Sequence, residues 1–347
     1  MPETMRALVC HTLSDDLSGV DVRPASIPDP GPGEVRVQVK ATSINFPDIL
    51  LTEGKYQLKL EPPFTPGMDI SGVVDAIGPD VEGFSIGDAV AGGNRFGGFA
   101  DYAILPIASL QMKPDTMSFS EAASYPAAYL TAYVSLVRRG RLAAGETLLV
   151  HGASGGVGLA AVDLGKHLGA TVIATSGSND KLATLKAYGA DHVINVSGGF
   201  RQTVKDLTDG RGADVIFDPV GGDTFDESTR CIAFDGRLLV IGFTSGRIAE
   251  VKTNIPLIQG FSVVGVRAGE YGRQFPDRGR ENIKAIWDLA RDQKMHPRIH
   301  AEVSLEDALD GFRMLKNREV IGKVIVCPQG PQKNHPYETG GFLSRGD

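Results

Sequence analysis

The sequence predicts an α/β protein in which a doubly wound parallel sheet is joined to a second domain, a partly open β-barrel. From Leu148 onward, short apolar runs alternate with amphipathic segments, which is typical of parallel strands covered by helices on both faces. Before residue 118, short alternating runs are separated by Gly- and Pro-rich turns such as 28–33, a pattern that indicates a small barrel. A length of 347 residues also favours two domains.

The elements follow from these patterns in chain order. Barrel strands are expected at Arg6–Cys10, Glu34–Ala41, Ile70–Ile77, Asp88–Ala91 and Phe99–Leu105. Parallel strands are expected at Leu148–Val150, Val172–Ala174, His192–Ile194, Val215–Phe217, Leu238–Ile241 and Val263–Val266. Helices are expected at Gly156–Leu168, Asp180–Tyr188, Phe200–Thr208, Asp223–Ile232, Arg280–Asp292 and Leu305–Leu315, with a final strand at Lys323–Cys327.

The same patterns divide the chain into domains. Residues 128–267 are predicted to form the parallel-sheet domain, whereas residues 1–127 together with 268–330 form the barrel domain. Residues 331–347 are predicted to be a polar tail that frays.

A glycine-rich turn follows the strand at Leu148–Val150. It reads A-S-G-G-V-G, and its predicted cofactor-binding residues are Ser154, Gly155, Gly156, Val157 and Gly158. Small residues let the backbone approach a phosphate, and the helix that follows offers free N–H groups and a positive dipole end. The position between a strand and a helix favours a dinucleotide site, although a tight turn without a ligand has the same pattern.

The end of the next strand indicates which dinucleotide is bound. A carboxylate there would accept from the ribose hydroxyls of NAD, but this chain has Ser176 and Gly177. Serine can donate to a 2′-phosphate, and Lys181 can reach it as a point charge. The cofactor is therefore predicted to be NADPH, although Lys181 could equally be an ordinary exposed lysine.

Composition excludes several classes of protein. The formal net charge is −7, and no dense run of Lys and Arg suggests contact with nucleic acid. The three cysteines are scattered, which excludes a disulfide framework and a cysteine-rich zinc lobe. Neither a signal pattern nor an apolar run of membrane-spanning length is present, so a cytoplasmic protein that does not bind membranes is expected.

Further motifs carry a resemblance to a known family. They are P-G-M-D-I-S-G at 66–72, the turn at 153–158, F-D-P-V-G-G at 217–222, I-G-F-T-S-G at 241–246, and Arg318 with Gly322-Lys323. From Met5 to about Cys327 the chain resembles the medium-chain dehydrogenase/reductase superfamily, and within it the zinc-independent quinone oxidoreductase (zeta-crystallin-like) branch. The resemblance implies a Rossmann-type sheet and a GroES-like barrel domain.

The chain departs from the zinc alcohol dehydrogenases of that superfamily. Asn45 lies where they have a cysteine, and Met68 lies where they have a histidine. Neither side chain is a good zinc ligand, so no metal site is predicted. Without a Lewis acid, reduction of a conjugated acceptor is favoured over alcohol oxidation.

The resemblance also implies roles for individual residues. Asn45 would lie near the nicotinamide and ribose, with Thr131 and Arg318 also on the cofactor. The matching glycine turns add Val220, Gly221 and Phe243 to the predicted cofactor site. Tyr56 could line the substrate pocket and donate to the developing oxyanion. Asn45 could instead only cap its loop, and Tyr56 could be a packing aromatic.

The sequence therefore predicts a zinc-independent NADPH-dependent reductase of quinones or other α,β-unsaturated carbonyls. A reductase of acryloyl- or crotonyl-CoA-like thioesters or of 2-haloacrylates is the alternative, with Arg267 or Arg273 as an anion-binding entrance. A weakly catalytic NADPH-binding or RNA-binding protein is a third possibility. Relatives commonly form homodimers through a sheet edge, and Leu257–Val266 is the segment predicted to do so here.

Overall fold

A computed structural model describes residues 4–331, beginning with antiparallel strands and short helices. The strands of this first part are β1 (Thr4–Cys10), β2 (Val20–Ser26), β3 (Glu34–Ser43), β4 (Asp69–Ile77), β5 (Ala89–Gly93), β6 (Tyr102–Pro106) and β7 (Leu110–Met112). The helices are α1 (Phe46–Thr52), α2 (Phe119–Ser124) and α3 (Pro126–Tyr133). A π-helical turn, Val134–Arg139, extends α3.

The middle of the chain alternates strands and helices. Its strands are β8 (Thr147–Val150), β9 (Thr171–Ser176), β10 (His192–Asn195), β11 (Ala213–Asp218), β12 (Ile232–Val240) and β13 (Ser262–Gly265). Its helices are α4 (Gly156–His167), α5 (Asn179–Ala187), α6 (Arg201–Leu207), α7 (Gly222–Ser228) and α8 (Asn254–Gln259). The last part contains α9 (Ala268–Gln274), α10 (Pro276–Arg291), β14 (Ile299–Ser304), α11 (Ala308–Lys316) and β15 (Lys323–Cys327).

Strands β8 to β13 form one parallel sheet in the order β10-β9-β8-β11-β12-β13. Successive side chains of a strand point to opposite faces. Accordingly, Leu148 and Val150 lie in one apolar core with helices α3 and α4, while Leu149 lies in another with α6 and α7. Both faces are covered by helices, which confirms the predicted doubly wound fold.

The remaining strands build the barrel domain. Strands β14-β15-β3-β4-β5-β7 form a second sheet, β6 pairs with β3, and β1 pairs with β2 as an antiparallel ribbon. Strand β3 alternates buried and half-buried residues along its first part, as the sequence pattern predicted. Strands β14 and β15 return to this sheet from the far end of the chain.

The predicted domain boundaries remain a proposal, and one set of contacts bears on them. Trp287 and Ile286 of α10 belong to the core shared by α3 and α4, and the Trp287 ring lies 5.2 Å from that of Tyr125. Helix α10 therefore packs on the parallel-sheet domain, although the sequence assigned residues from 268 onward to the barrel. These contacts favour a return to the barrel between α10 and β14.

The structure corrects two expected elements. The apolar segment Leu257–Val266 begins as the end of helix α8 and becomes strand only at β13. The helix expected over Asp223–Ile232 ends at Ser228, and β12 begins at Ile232. The predicted polar tail lies almost wholly outside the described residues. Within residues 4–331, no helix combines the length and the apolarity needed to cross a membrane.

Candidate functional site

The glycine-rich turn lies at the carboxyl end of β8, where helix α4 begins. Gly155 is the residue before the helix, and its N–H donates to the carbonyl oxygen of Gly152. A Cβ atom added to Gly158 would lie 2.3 Å from that oxygen and 2.7 Å from Ala153 Cα. Only glycine therefore lets α4 pack this closely on the turn, with its free N–H groups directed at the sheet edge.

The end of β9 lies beside this turn and has room for a ligand group. Ser176 is buried, whereas a Cβ atom added to Gly177 would meet no atom within 4 Å. The Lys181 ammonium donates to the carbonyl oxygens of Arg318 at 2.5 Å and Val320 at 3.0 Å. An ammonium has three N–H donors, and these two bonds use two of them.

A second turn follows β11 at the same sheet edge. Buried Asp218 accepts from the N–H groups of Val220 at 2.8 Å and Gly221 at 2.9 Å. A Cβ atom on Gly221, which has a φ of +70°, would lie 3.1 Å from the ring of Phe243. The Arg318 guanidinium donates to the Thr244 carbonyl at 3.3 Å. The cofactor residues predicted in these turns thus lie at the carboxyl ends of β8, β9, β11 and β12, where open α/β sheets bind ligands.

The barrel domain contributes a buried polar cluster next to the glycine-rich turn. Asn45, at the start of α1, accepts from the Lys323 ammonium at 2.6 Å and donates to Asp69 at 3.0 Å. Lys323 follows Gly322, whose N–H donates to the Ser154 carbonyl at 2.8 Å. Asn45 is therefore close to the turn, and its amide is held on both sides rather than free.

Asp48 is fully buried in the same cluster. Its carboxylate accepts from the backbone N–H groups of Asn45 at 2.8 Å and Gly67 at 3.0 Å. Burial raises the pKa of Asp48 to about 7, because the two N–H donors do not offset the loss of water. Burial also raises the pKa of Asp69 and lowers that of Lys323, while each opposes the shift of the other.

Two other predicted residues, Tyr56 and Thr131, make contacts within the protein. Tyr56 is half-buried, its N–H donates to the Leu50 carbonyl, and its ring packs on the apolar cluster that includes Ile49. Thr131 lies in α3 and its carbonyl accepts from Ser135. Whether either contacts a ligand remains a prediction.

His151 at the end of β8 is buried between hydroxyl groups. Its two ring nitrogens lie 3.0 Å from Thr175 Oγ1 and 2.9 Å from Ser228 Oγ. Burial lowers the pKa of His151 to about 3, so the ring is neutral. This favours a structural role for His151.

Comparison with known proteins gives the same picture as the geometry. Residues 31–115 match the alcohol dehydrogenase GroES-like domain, and residues 156–288 match the family described as zinc-binding dehydrogenase. The chain is 38% identical to the quinone oxidoreductase-like protein 2 homolog of Nematostella vectensis, over 93% of this chain and 89% of that protein. The chain belongs to the medium-chain dehydrogenase/reductase superfamily.

Solved structures of this superfamily are close to the present fold. A quinone oxidoreductase of Pseudomonas syringae pv. tomato is 30% identical with a TM-score of 0.86, covering 93% of this chain and all of that one. A mycobacterial protein solved with NADPH is 28% identical with a TM-score of 0.87, at the same coverage. The predicted superfamily, Rossmann-type sheet and GroES-like domain are confirmed. The protein is an oxidoreductase whose Rossmann domain binds a nicotinamide cofactor.

The two positions that hold zinc ligands in the zinc alcohol dehydrogenases are occupied here by Asn45 and Met68. In the part of the chain that the structure describes, no three His, Cys, Asp or Glu side chains come together as a metal site requires. Asn45 is held by Lys323 and Asp69, and the carbonyl of Met68 accepts from the Asn94 backbone N–H. The residues at these two positions thus make protein contacts of their own.

Sequence reasoning missed three members of the cluster: Asp48, Asp69 and Lys323. Asp69 and Lys323 each lie within one of the family motifs, but the motifs alone do not show that these residues meet. The one local signal was the spacing of Asp48 from Asn45, three residues apart at a helix start, which suits a carboxylate that accepts from the N-terminal backbone.

The raised pKa of Asp48 leads to a prediction about stability. The folded protein keeps a proton on Asp48 that the unfolded chain releases above its ordinary pKa of 3.8. The stabilisation is therefore complete below about pH 4 and is lost as the pH rises through about 7. Relative to the variant Asp48→Asn, the free energy of unfolding of the wild type should fall by up to about 4 kcal/mol between pH 4 and pH 8.

Urea unfolding of both proteins across this range measures the difference, and any pH-independent cost of the amide cancels. Asp80→Asn, at an exposed turn position, is the matched control and should run parallel to the wild type. If Asp48→Asn also ran parallel, the carboxyl would have the same protonation in both states.

Proposed function

We propose that the protein is a zinc-independent NADPH-dependent reductase that transfers hydride to a quinone or another α,β-unsaturated carbonyl compound. The observation that carries the proposal is that two features occur together in this chain. The end of β9 offers Ser176, Gly177 and a lysine where an NAD site would have a carboxylate. The facing barrel positions offer an amide and a thioether where a zinc site would have two ligands.

The residues present fit the cofactor. The turn 154–158 would hold the pyrophosphate by its N–H groups, and Val220, Gly221 and Phe243 would line the adjacent wall. Ser176, Lys181 and Arg318 would surround a 2′-phosphate with donors. The names of the similar proteins, one a quinone oxidoreductase and one solved with NADPH, support this choice.

When bound, the cofactor supplies a hydride to an electrophilic carbon of the acceptor. The electron pair displaced from the conjugated system goes to the acceptor oxygen, which becomes an enolate or phenolate and then takes a proton from solvent. The protein must hold the acceptor against the nicotinamide and stabilise that oxygen. We assign Asn45 and Thr131 to the nicotinamide side and Tyr56 to the oxyanion.

Consumption of reduced nicotinamide in the presence of an acceptor panel tests the proposal. NADPH and NADH are compared against benzoquinone, phenanthrenequinone, an alkenal and a crotonyl thioester, with and without a chelator. Chelator-insensitive turnover of quinones or the alkenal with NADPH is expected. A preference for the thioester would favour the acyl-CoA alternative, and tight NADPH binding without any turnover would favour a binding protein. A Tyr56→Phe variant with unchanged turnover would remove Tyr56 from the mechanism.

We also propose a homodimer that forms through the outer edge of β13. Within residues 4–331 this strand pairs only with β12, so its other edge is open. The surface beside it is apolar: Phe234, Leu257, Ile258 and Val263 are 82%, 80%, 74% and 39% exposed. Such a patch on an open edge is typical of an interface between two copies related by a two-fold axis.

The double variant Leu257→Glu/Ile258→Glu should be monomeric where the wild type is dimeric, because four carboxylates would meet across the two-fold axis. Light scattering after gel filtration measures the mass. Ile86→Glu, at a 69% exposed position of the barrel domain, is the control and should stay dimeric. A wild type that is monomeric at all concentrations would rule out the dimer.

A further inference from the structure

Lys323 lies at the point where the two domains meet over the glycine-rich turn. It is the first residue of β15, only 7% exposed, and its side chain runs from the turn into the barrel domain. A Cβ atom added to Gly156 would lie 2.4 Å from Lys323 Cδ and 3.1 Å from Cγ. The aliphatic part of Lys323 therefore packs directly on the first residue of α4.

The backbone around Lys323 is tied to the same turn. Gly322 forms a parallel bridge with Gly155 and donates to the Ser154 carbonyl, while the Lys323 N–H donates to the Arg298 carbonyl at 3.0 Å. Gly322 has a φ of +95°, and a Cβ atom there would lie 2.2 Å from the Arg298 oxygen. The start of the Lys323 side chain is thus fixed relative to the nucleotide turn.

The far end of the side chain determines the orientation of Asn45. Its ammonium donates to Asn45 Oδ1 at 2.6 Å and lies 3.9 Å from Asp69 Oδ2. The Asn45 amide nitrogen then donates to Asp69 at 3.0 Å and to Ser43 at 3.3 Å. Because an ammonium only donates, it permits only the amide orientation with oxygen toward Lys323.

We propose that Lys323 is a positioning residue, which fixes the Asn45 amide and Asp69 relative to the glycine-rich turn. It would thereby align the two walls of the nicotinamide cleft, which are the turn on one side and the Asn45 cluster of the barrel domain on the other. The proposal assigns Gly156 a second role, which is to leave space for the lysine stem. It rests on the proposed function, since the alignment matters only if a nicotinamide lies between these walls.

Electrostatics supports the pairing. The three ionisable groups of the cluster, Asp48, Asp69 and Lys323, are all buried, and a buried carboxylate without a cation is costly. Removing the ammonium would leave Asp69 with the Asn45 amide, the Ser43 hydroxyl and the Ala127 N–H as its donors. Asn45 Oδ1 would lose the Lys323 donor, so the amide would be held through its nitrogen alone and no longer tied to the glycine-rich turn.

The main test is Lys323→Met, which keeps the volume of the stem and removes the ammonium. We expect kcat to fall by about tenfold or more with KM for the acceptor changed by less than about threefold, as a misplaced reacting group would produce. Lys166→Met, which breaks the 2.7 Å ion pair with Asp191 in the parallel-sheet domain, is the matched control. It should lower thermal stability without lowering kcat.

A double-mutant cycle tests the contact with Gly156 independently. Gly156→Ala should weaken NADPH binding in the wild type, because the new methyl group collides with the Lys323 stem. In the Lys323→Ala background the same change should cost several-fold less, since the colliding atoms are gone. Dissociation constants from nucleotide fluorescence give this result even when no acceptor is turned over.

These measurements can overturn the proposal. A Lys323→Met variant that loses thermal stability as Lys166→Met does, but keeps kcat within about twofold, would make the lysine purely structural. If the effects of Gly156→Ala and Lys323→Ala on the NADPH dissociation constant were additive, the lysine stem would not restrict the residue at position 156. A wild type inactive toward every acceptor would refute the proposed function, while the double-mutant cycle would still decide the contact.

Discussion

Replacing Gly158 with alanine is expected to weaken NADPH binding by at least about 100-fold, equivalent to roughly 3 kcal/mol. The added methyl group would lie 2.3 Å from the Gly152 oxygen and 2.7 Å from Ala153 Cα, and both are backbone atoms that cannot rotate away. Helix α4 would have to move off the turn, taking its N-terminal N–H groups away from the phosphates. Fluorescence titration with NADPH measures the loss.

Gly198→Ala is the control for this prediction, because a Cβ atom there meets nothing within 4 Å and the residue lies outside the glycine-rich turn. It should bind NADPH as the wild type does. The thermal midpoint with and without NADPH gives a second readout, since a ligand that binds only the folded state raises it. A folded Gly158→Ala protein with wild-type affinity would contradict a phosphate site at this turn.

The second large effect is expected from Ser176→Asp, which should reverse the cofactor preference. A carboxylate at the end of β9 would repel a 2′-phosphate and accept from a free ribose 2′-hydroxyl. We expect kcat/KM with NADPH to fall by about 100-fold or more, with NADH retained or improved. Parallel assays with both cofactors measure the ratio.

Thr171→Asp adds the same charge at the exposed first residue of β9, at the opposite end of the strand, and serves as its control. It should leave the ratio of NADPH to NADH activity unchanged, because the new charge lies at the amino end of the strand, whereas the proposed 2′-phosphate site lies at the carboxyl end. If Ser176→Asp also left the ratio unchanged, the 2′-phosphate would lie elsewhere and the assignment of Lys181 would fail with it.

Local patterns predicted most of the parallel sheet. The strand at Leu148–Val150, the turn and helix α4 are continuous in sequence, so their apolar run, small residues and helical period appear together. The final strand was predicted with its observed bounds, Lys323–Cys327. The prediction that the sheet edge begins at Leu257 was wrong. A short apolar run does not distinguish a helix from a strand, and Pro256 suits the first turn of a helix.

The buried cluster was much harder to predict. Asn45 and Lys323 are 278 residues apart in sequence, and their contact depends on β15 pairing with β3. A single sequence does not indicate such a pairing, so the motif at 322–323 was useful only as a family mark. The resemblance implied a place for Asn45 near the cofactor, but nothing in the sequence indicated the groups that hold its amide.

The contact between the glycine-rich turn and the barrel domain, here called the seam, has a consequence for protein engineering. Residues from three separate stretches of chain form the seam: 45–48, 154–156 and 322–323. A graft that moves residues 147–265 into the barrel of another oxidoreductase would transfer one side of the seam without the other two. Chimeras that keep residues 45–48 and 322–323 from the same parent as the turn should therefore retain more reductase activity than chimeras cut at the sheet boundaries alone.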